Sequence, residues 1–412
     1  MFGNRKVWKI AEFTMVIIIV FLFAESRQHL QAEEPLKIGV LTDITGPAGV
    51  LCGTDPDAVR MAIHDFGGEW AGKKIEMIVR DMKGQVAMAV EMAEELYEHK
   101  KADVILGAPW SSVAIAVSKV ALSYKKPLII GSAYTSQLIE DKCNRYTFLW
   151  GFNNYAYSAA LANWMTKQIK GRHIYTFTQD YAAGHTMLRN YLEHLRPGNF
   201  LHTGNSMIPR GTKDFSQYFL AALKTKPDAL LNITVVIDQM MAAKQAKEIG
   251  LKKMGIPVLH GSVTFEFIVK SATSAFAGDR FVTPWYWKHN MSNPESADFI
   301  STWRKEFKRP PYYVQAMMYS GARQYLNAVR RVGSKDSHKV IKALEGHAFK
   351  DIFGHSEIYA ENHQKVSDLH IVQVKVPGPK DDAWDFFDLV GTIPFTKAFR
   401  DPKTTGCKIG GF

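Results

Sequence analysis

Two short segments of the sequence combine hydroxyl side chains, small residues and an aromatic residue, a mixture that suits the binding of a small anion. They are Trp110-Ser111-Ser112 and Ser132-Ala133-Tyr134-Thr135. Serine and threonine hydroxyls donate and accept hydrogen bonds without adding charge. A helix that begins at such a segment adds unpaired backbone N–H groups and the positive end of its dipole. These residue types therefore predict a site for a small anionic ligand.

The order of apolar runs and helix-like segments places these two segments at one edge of a sheet. Strands are predicted at 36–41, 74–80, 104–106 and 127–130, and helices at 57–66, 85–99 and 112–124. Strands separated by helices form parallel sheets, which bind ligands at the carboxyl ends of their strands. Because both segments directly follow strands, we expect them to lie close together at that edge.

The same alternation restarts after residue 145 and predicts a second sheet. Helices are expected at 155–169, 184–195, 215–224, 238–249, 297–307 and 314–332, and strands at 173–178, 200–207, 229–233 and 257–259. Two late strands, at 369–374 and 389–393, must join existing sheets. We predict an α/β fold with two doubly wound, Rossmann-like lobes and several chain crossings between them.

The composition fits a folded protein of two domains. The chain has 412 residues, of which 46% are hydrophobic and 22% are charged. Its net charge of +11 is spread along the chain rather than concentrated in one patch. We therefore interpret the charge as a solvated basic surface and expect no nucleic-acid partner.

Residues 1–32 have the three parts of a signal peptide. Arg5, Lys6 and Lys9 precede an apolar run at 13–24, and a polar stretch then ends at Ala32. The run is shorter than the ~20 residues that a bilayer span needs. We predict cleavage after Ala32, or less neatly after Ala24, and an exported, periplasmic protein. An uncleaved membrane anchor is the alternative.

Export makes the three cysteines, Cys52, Cys143 and Cys407, candidates for a disulfide. Cys143 and Cys407 lie in polar, turn-like surroundings, which favours a surface bridge between them, although the sequence leaves other pairings open. Cys52 follows a Gly- and Pro-rich turn, where its thiol could face the ligand.

Motifs for catalysis are missing from the sequence. Gly46, Gly49 and Gly53 have the wrong spacing for a dinucleotide-binding turn. The segment 67–74 imitates a phosphate-binding loop, but it precedes a strand and lacks the final Ser or Thr. The sequence has no Gly-x-Ser-x-Gly, His-Glu-x-x-His or Cys-x-x-Cys motif. We therefore expect no enzyme activity, no cofactor and no metal.

Several motifs together resemble the type I periplasmic binding proteins of the branched-chain amino acid ABC transporter family. They are the opening segment 36–47, the turn at 131–138, and the segments at 180–185 and 212–216. The resemblance extends from about residue 36 to the end of the chain. Other segments resemble a branch that often binds aromatic carboxylates. They are Cys143 before 146–150, the cluster at 285–287, the segment 369–375, and 398–400 before Cys407.

The resemblance implies a two-lobed protein that captures a small carboxylate and delivers it to a permease in the inner membrane. It implies a first lobe of 36–151 and 284–347, a second lobe of 152–283 and 348–384, and a C-terminal tail at 385–412. Such proteins generally work as monomers. A sensor that presents its closed form to a signalling receptor or regulator is the alternative function.

The resemblance also implies which residues contact the ligand. In the first lobe, the two segments described above would hold the carboxylate. The second lobe would contribute Phe152, Tyr181, Thr234, Ser262 and Tyr286.

Structural roles compete with several of these assignments. Ser111 or Ser112 could cap a helix, and Trp110 and Tyr134 could be rim or core aromatics. Trp285 and Trp287 could pack under the hinge instead of stacking on a ligand.

Amino-acid binders need an acid for the ligand's ammonium group, and the turn after 229–233 has none. We interpret Asp238 as the N-cap of the next helix, which leaves Glu266 as the only acid near the following turn. This favours a carboxylate without an α-amino group.

Overall fold

Parallel strands joined by helices dominate the chain from Lys37 onward. The computed structural model describes residues 34–262 and 265–410, and the predicted signal peptide lies outside these ranges.

The strands are, in chain order, β1 (Lys37–Thr42), β2 (Glu69–Trp70), β3 (Lys73–Lys74), β4 (Glu76–Asp81), β5 (Val104–Gly107), β6 (Leu128–Ile130), β7 (Thr147–Leu149), β8 (His173–Gln179), β9 (Leu201–Ile208), β10 (Ala229–Ile233), β11 (Val258–His260), β12 (Arg280–Thr283), β13 (Ala348–Asp351), β14 (Gly354–Ile358), β15 (Lys365–Ser367), β16 (Leu369–Val374) and β17 (Phe387–Ile393).

The α-helices are α1 (Gly49–Cys52), α2 (Asp55–Phe66), α3 (Val86–Glu98), α4 (Ser111–Tyr124), α5 (Asn154–Gln168), α6 (Ala182–Leu195), α7 (Ser216–Lys224), α8 (Val236–Glu248), α9 (Glu266–Ser271), α10 (Thr273–Phe276), α11 (Trp287–Asn290), α12 (Pro294–Phe307), α13 (Tyr313–Val332), α14 (Ser337–Leu344) and α15 (Phe395–Ala398).

The first sheet is parallel and has the strand order β4-β1-β5-β6-β7. Its central strands are buried along their whole length, because helices cover both faces. In the register of the sheet, Leu41 lies opposite Gly107, and Gly107 lies opposite Ile130. The carboxyl ends of β1, β5 and β6 therefore lie side by side.

The second sheet has the strand order β17-β16-β12-β11-β10-β8-β9. The strands from β12 to β9 run parallel, whereas β16 and β17 are antiparallel additions at one edge. Both late strands thus join this sheet. β17 lies inside the segment expected as a C-terminal tail, so that segment begins with a sheet strand.

The chain passes between the two sheets three times, between β7 and α5, between β12 and α12, and between α14 and β16. We call the first sheet with α1–α4 and α12–α14 the first lobe, and the second sheet with α5–α10 and α15 the second lobe. A small sheet of β13, β14 and β15 occupies the third connection. It lies against the first lobe, where Ser320 of α13 donates to Asp351.

A disulfide joins Cys143, in the loop between β6 and β7, to Cys407, beyond α15. Their Cα atoms are 5.8 Å apart, and 264 residues of chain separate them. Two ion pairs hold the same region, Arg145 with Glu345 at 2.7 Å and Arg400 with Glu140 at 3.0 Å. Within the described ranges, we find no helix long and apolar enough to cross a bilayer.

Candidate ligand-binding site

The turn after β5 brings the first predicted segment to the carboxyl edge of the first sheet. Gly107, Ala108 and Trp110 have positive φ angles of 131°, 54° and 80°. A Cβ atom at Gly107 would lie 2.0 Å from the carbonyl oxygen of Leu41, so only glycine fits there. Left-handed conformations at non-glycine residues are costly and concentrate at functional sites. This turn is therefore a strained segment at the edge where a ligand is expected.

Ser111 and Ser112 are the first two residues of α4, and both are exposed. Trp110 occupies the N-cap position, and no side chain caps the helix. The serines are therefore not N-caps. The exposed serines and the uncapped start of the helix are features that an anion site requires.

Trp110 lies at the rim, with 42% of its surface exposed. Its indole Nε1 donates to the Asp43 Oδ2 atom over 3.1 Å. Asp43 directly follows β1, so the hydrogen bond spans the ends of two neighbouring strands.

The turn after β6 places the second segment beside the first, with more of it buried. Ser132 and Ala133 are buried, whereas Tyr134 and Thr135 are half-buried. The Thr135 hydroxyl accepts from the Gln137 amide over 3.2 Å and caps a short 3₁₀ helix. Its other lone pair and its proton remain for a ligand.

A buried polar cluster supports this second turn from behind. The Cys52 Sγ lies 3.9 Å from the Ser132 Oγ. The Cys52 side chain is fully buried, so its thiol does not face open solvent. Asp55 accepts from Thr42 over 3.0 Å and from Gln315 over 3.2 Å. Burial raises the pKa of Asp55 to about 7, and burial together with Asp55 raises the pKa of the Cys52 thiol. Burial thus favours the protonated forms of both groups.

Aromatic rings form a wall next to the second turn. The ring of Phe152 lies 5.1 Å from that of Tyr134 and 5.9 Å from that of Tyr313. The hydroxyls of Tyr134 and Tyr313 are 3.0 Å apart. Tyr313 begins α13, far along the chain, so sequence spacing gave no indication of its place here.

The second-lobe hydroxyls have a different environment. Thr234 and Ser262 are fully buried. The Thr234 Oγ1 donates to the Asn232 Oδ1 over 2.7 Å, and Ser262 both donates to the Thr234 carbonyl and accepts from Gln239. These hydroxyls therefore serve the protein's own hydrogen bonds.

Tyr181 lies at the N-terminus of α6 and is half-buried. The Arg210 guanidinium lies over its ring at 5.4 Å. Burial raises the pKa of the Tyr181 hydroxyl, and Arg210 partly opposes this effect. Tyr181 thus lies just beyond the carboxyl end of β8, at the start of α6.

Tyr286, Trp285 and Trp287 pack inside the protein. The Tyr286 hydroxyl donates to the Trp384 carbonyl over 2.8 Å, and the Trp287 indole donates to the same carbonyl over 3.2 Å. The Trp285 indole donates to the Ile352 carbonyl over 3.0 Å. The hydrogen-bond donor groups of all three side chains are therefore occupied.

Glu266 is a buried acidic residue at a contact between the two lobes. Although it starts α9 in the second lobe, its Oε1 accepts from the Tyr313 amide of the first lobe over 3.3 Å. Its Oε2 is buried and has no hydrogen-bond partner among the described residues. Burial raises the pKa of Glu266 to about 7. This carboxyl group thus keeps one buried oxygen without a hydrogen-bond partner among the described residues.

Asp238 differs from its expected role. Val235 is the N-cap of α8, whereas both carboxylate oxygens of Asp238 accept from the Gly211 amide, over 3.1 and 3.0 Å. Asp238 therefore fixes a loop and is not an N-cap. No cluster of three or more acidic, histidine or cysteine side chains suited to a metal occurs in the ranges that the structure describes.

A family model described as a periplasmic binding protein matches residues 35–382. A Leu/Ile/Val-binding protein homolog 6 of Brucella suis biovar 1 (strain 1330) is 20% identical over 382 residues, which cover 87% of this chain and 92% of that protein.

Two solved structures are similar over nearly their whole length. A branched chain amino acid ABC transporter periplasmic ligand-binding protein of Burkholderia xenovorans LB400 is 27% identical, with a TM-score of 0.86 and coverage of 91% of this chain and 99% of that chain. A solute binding protein of an ABC transporter from Rhodopseudomonas palustris BisB5, in complex with 3,4-dihydroxy benzoic acid, is 26% identical. Its TM-score is 0.75, and the match covers 90% of this chain and 99% of that chain. The chain therefore belongs to the periplasmic binding protein family, and its two-lobed α/β architecture is that family's type I fold.

Proposed function

We propose that this protein is the substrate-binding component of an ABC importer and captures a small carboxylate with an apolar or aromatic body between its lobes. The observation that carries the proposal is the pair of neighbouring turns at the ends of β5 and β6. There, Ser111, Ser112 and Thr135 offer hydroxyls beside the first amides of α4. Such donors bind a carboxylate without needing a buried cation.

The aromatic wall supplies the contact for the ligand's body. Tyr134, Phe152 and Tyr313 lie within one cluster. We propose that Tyr181, at the start of α6, covers the ligand from the second lobe. Burying an apolar body against these rings contributes about 25 cal/mol per Å² of apolar area removed from water.

Glu266 sets the chemistry of the ligand's second polar group. In its charged form the carboxylate would pair with an ammonium, and in its neutral form it would bond to a hydroxyl. Its place in the cleft removes the main reason for excluding amino acids. One relative is named for branched-chain amino acids, and another was solved with a dihydroxylated benzoic acid. We propose a ligand that carries a carboxylate and a hydrogen-bond donor.

Closure follows from contacts between the lobes. Glu266 and Phe265 of the second lobe reach Tyr313 of the first lobe. A ligand that binds both sides stabilises the closed form by its differential affinity for that form. We also propose that the chain is exported with cleavage of residues 1–32, works as a monomer without catalysis, and passes its ligand to an inner-membrane permease.

Ligand screening tests the proposal. The purified protein, unfolded and refolded to remove carried-over ligand, is heated with amino acids, hydroxybenzoates, benzoate and aliphatic acids. A ligand at ~100 times its dissociation constant adds about 2.7 kcal/mol to the free energy of unfolding. We expect at least one carboxylate to do so, and failure of every carboxylate would contradict the proposal.

Glu266→Gln then identifies the second polar group. If the ligand carries an ammonium, this variant should lose at least about tenfold in affinity, because the charge partner is gone. If the ligand carries a hydroxyl, the amide oxygen still accepts and affinity should change by less than about threefold. Glu248→Gln, at an exposed position of the second lobe, is the matched control.

A further inference from the structure

Asp43 is a buried acid whose position is not explained by packing alone. Its side chain is fully buried, and its Oδ1 has no hydrogen-bond partner within the described part of the chain. A Cβ atom on Gly46 would lie 2.1 Å from that oxygen, so the loop closes tightly over the carboxylate. Burying a carboxylate away from a cation is costly unless donors compensate for it.

The donors that Asp43 does have are the Ala48 amide, at 2.8 Å from its Oδ2, and the Trp110 indole, at 3.1 Å. The loop itself has a second anchor, because Asp81 accepts from the Ile44 and Thr45 amides over 2.9 and 3.3 Å. Asp43, and not Asp81, accepts from both the Ala48 amide and the Trp110 indole, and only the indole contact joins this loop to the turn after β5.

That contact determines where the indole lies. Trp110 follows β5 and Asp43 follows β1, and these strands are neighbours in the first sheet. The ring is thus held at the carboxyl edge, directly before the exposed serines of α4. It is also the most exposed aromatic of the site, since Phe152 is buried and Tyr134 is half-buried.

We infer that Asp43 is a positioning residue that holds the Trp110 indole as a flat wall of the ligand site, and that this wall selects planar carboxylates over aliphatic ones. The inference rests on the proposed function, because it assumes that a carboxylate binds at the adjacent turns. A tethered ring has already lost its rotational freedom, so stacking against it costs less side-chain entropy.

A double-mutant cycle tests the tether. Dissociation constants for benzoate and for 4-methylpentanoate are measured by calorimetry on the full chain, for Asp43→Ala, Trp110→Phe and the double variant. Each single variant should weaken benzoate binding about tenfold, the size of one stacking contact, and 4-methylpentanoate binding less than about twofold. The double variant should be no weaker than either single variant, because all three lack the same hydrogen bond.

Two further variants separate positioning from loop stability. Asp43→Asn keeps an acceptor for the indole and should restore benzoate binding to near the wild-type value. Asp81→Ala loosens the same loop without touching Trp110 and should change both affinities by the same factor.

Defined outcomes overturn the inference. Multiplicative losses in the double variant, or equal losses for both probes, would show that Asp43 and Trp110 act separately. Wild-type protein that prefers 4-methylpentanoate would remove the selection for planar ligands. Wild-type protein that binds neither probe but binds another carboxylate would overturn this inference alone. Wild-type protein that binds no carboxylate at all would overturn the proposed function together with this inference, whereas the other outcomes leave the proposed function intact.

Discussion

Hydroxyl side chains follow strands in both lobes, but the pair at the start of α4 in the first lobe is exposed, whereas the pair after β10 and β11 in the second lobe is buried. In the first lobe, Ser111 and Ser112 are exposed at a helix start that no side chain caps. In the second lobe, Thr234 and Ser262 are fully buried and bonded to protein groups. A hydroxyl at the carboxyl edge of a sheet can bind a ligand only when its hydrogen-bonding capacity is not already used within the protein.

The backbone explains much of this difference. The left-handed residues between Gly107 and Trp110 turn the chain so that the serines start α4 without a cap. In the second lobe, Asn232 near the end of β10 accepts from both the amide and the hydroxyl of Thr234, over 3.1 and 2.7 Å. The amide and hydroxyl of Thr234 are therefore bonded to the strand that precedes the turn.

The largest expected effect concerns the first-lobe hydroxyls. Replacing Ser111 and Thr135 together with alanine removes two donors to a charged group, each of which contributes about 1.5–3 kcal/mol. We expect a loss of at least about a hundredfold in affinity by calorimetry, with an unfolding temperature within a few degrees of wild type. Unchanged affinity would show that the carboxylate binds elsewhere.

The second prediction compares one buried acid from each lobe. Because the pKa values of Asp55 and Glu266 are raised to about 7 by burial, the folded state binds more protons than the unfolded state between about pH 4 and pH 7. The free energy of unfolding should therefore fall as the pH rises through this window and level off above it. Asp55→Asn and Glu266→Gln should each flatten the curve measured by urea unfolding.

A ligand should separate these two acids. Asp55 lies behind the turn, so its share of the pH dependence should persist when ligand is bound. The share of Glu266 should change, because we propose that this carboxyl group binds the ligand's second polar group. Equal responses would contradict the different places assigned to the two acids.

A third prediction concerns Ser262. Ser262→Ala leaves the Thr234 carbonyl and the Gln239 amide without this buried partner, so we expect a loss of about 1–3 kcal/mol in the free energy of unfolding. Affinity should change by less than about threefold. Ser111→Ala is the matched variant in the first lobe and should show the reverse pattern. A large loss of affinity with unchanged stability in Ser262→Ala would contradict its structural role.

The smallest effect is expected at Tyr181. If its ring covers the ligand, Tyr181→Phe keeps the contact and should change affinity by less than about twofold, whereas Tyr181→Ala should cost about tenfold. Calorimetry with the ligand found by screening distinguishes the two. Equal losses in both variants would assign the contact to the hydroxyl instead.

The sequence was sufficient to predict the parallel sheets and the two first-lobe segments, because both follow from local patterns. An apolar strand that ends at Gly107 or Ile130 places the following turn at the carboxyl edge of the sheet, whatever the arrangement of the two lobes. The short strands of the small sheet were not predicted, since polar and charged residues interrupt them, as in Ala348–Asp351.

Other parts of the site depend on contacts between distant segments. The exposure of Thr234 and Ser262 is decided by side chains such as Gln239, which no local pattern connects to them. The contact between Glu266 and Tyr313 joins two lobes, and the role of Asp43 depends on an indole that is 67 residues away. The sequence supplied Thr234, Ser262 and Glu266 as candidates without their roles, and it did not indicate Asp43 or Tyr313.

The disulfide has a mechanical consequence. Cys143 belongs to a loop of the first lobe, and Cys407 follows the last strand of the second lobe, so the bond closes a covalent ring of which the whole second sheet is a part. The ring adds a fourth covalent connection to the three that the backbone makes between the lobes. It therefore acts as a stop on how far the lobes can swing apart, and this stop exists only in a compartment that keeps the two cysteines oxidised.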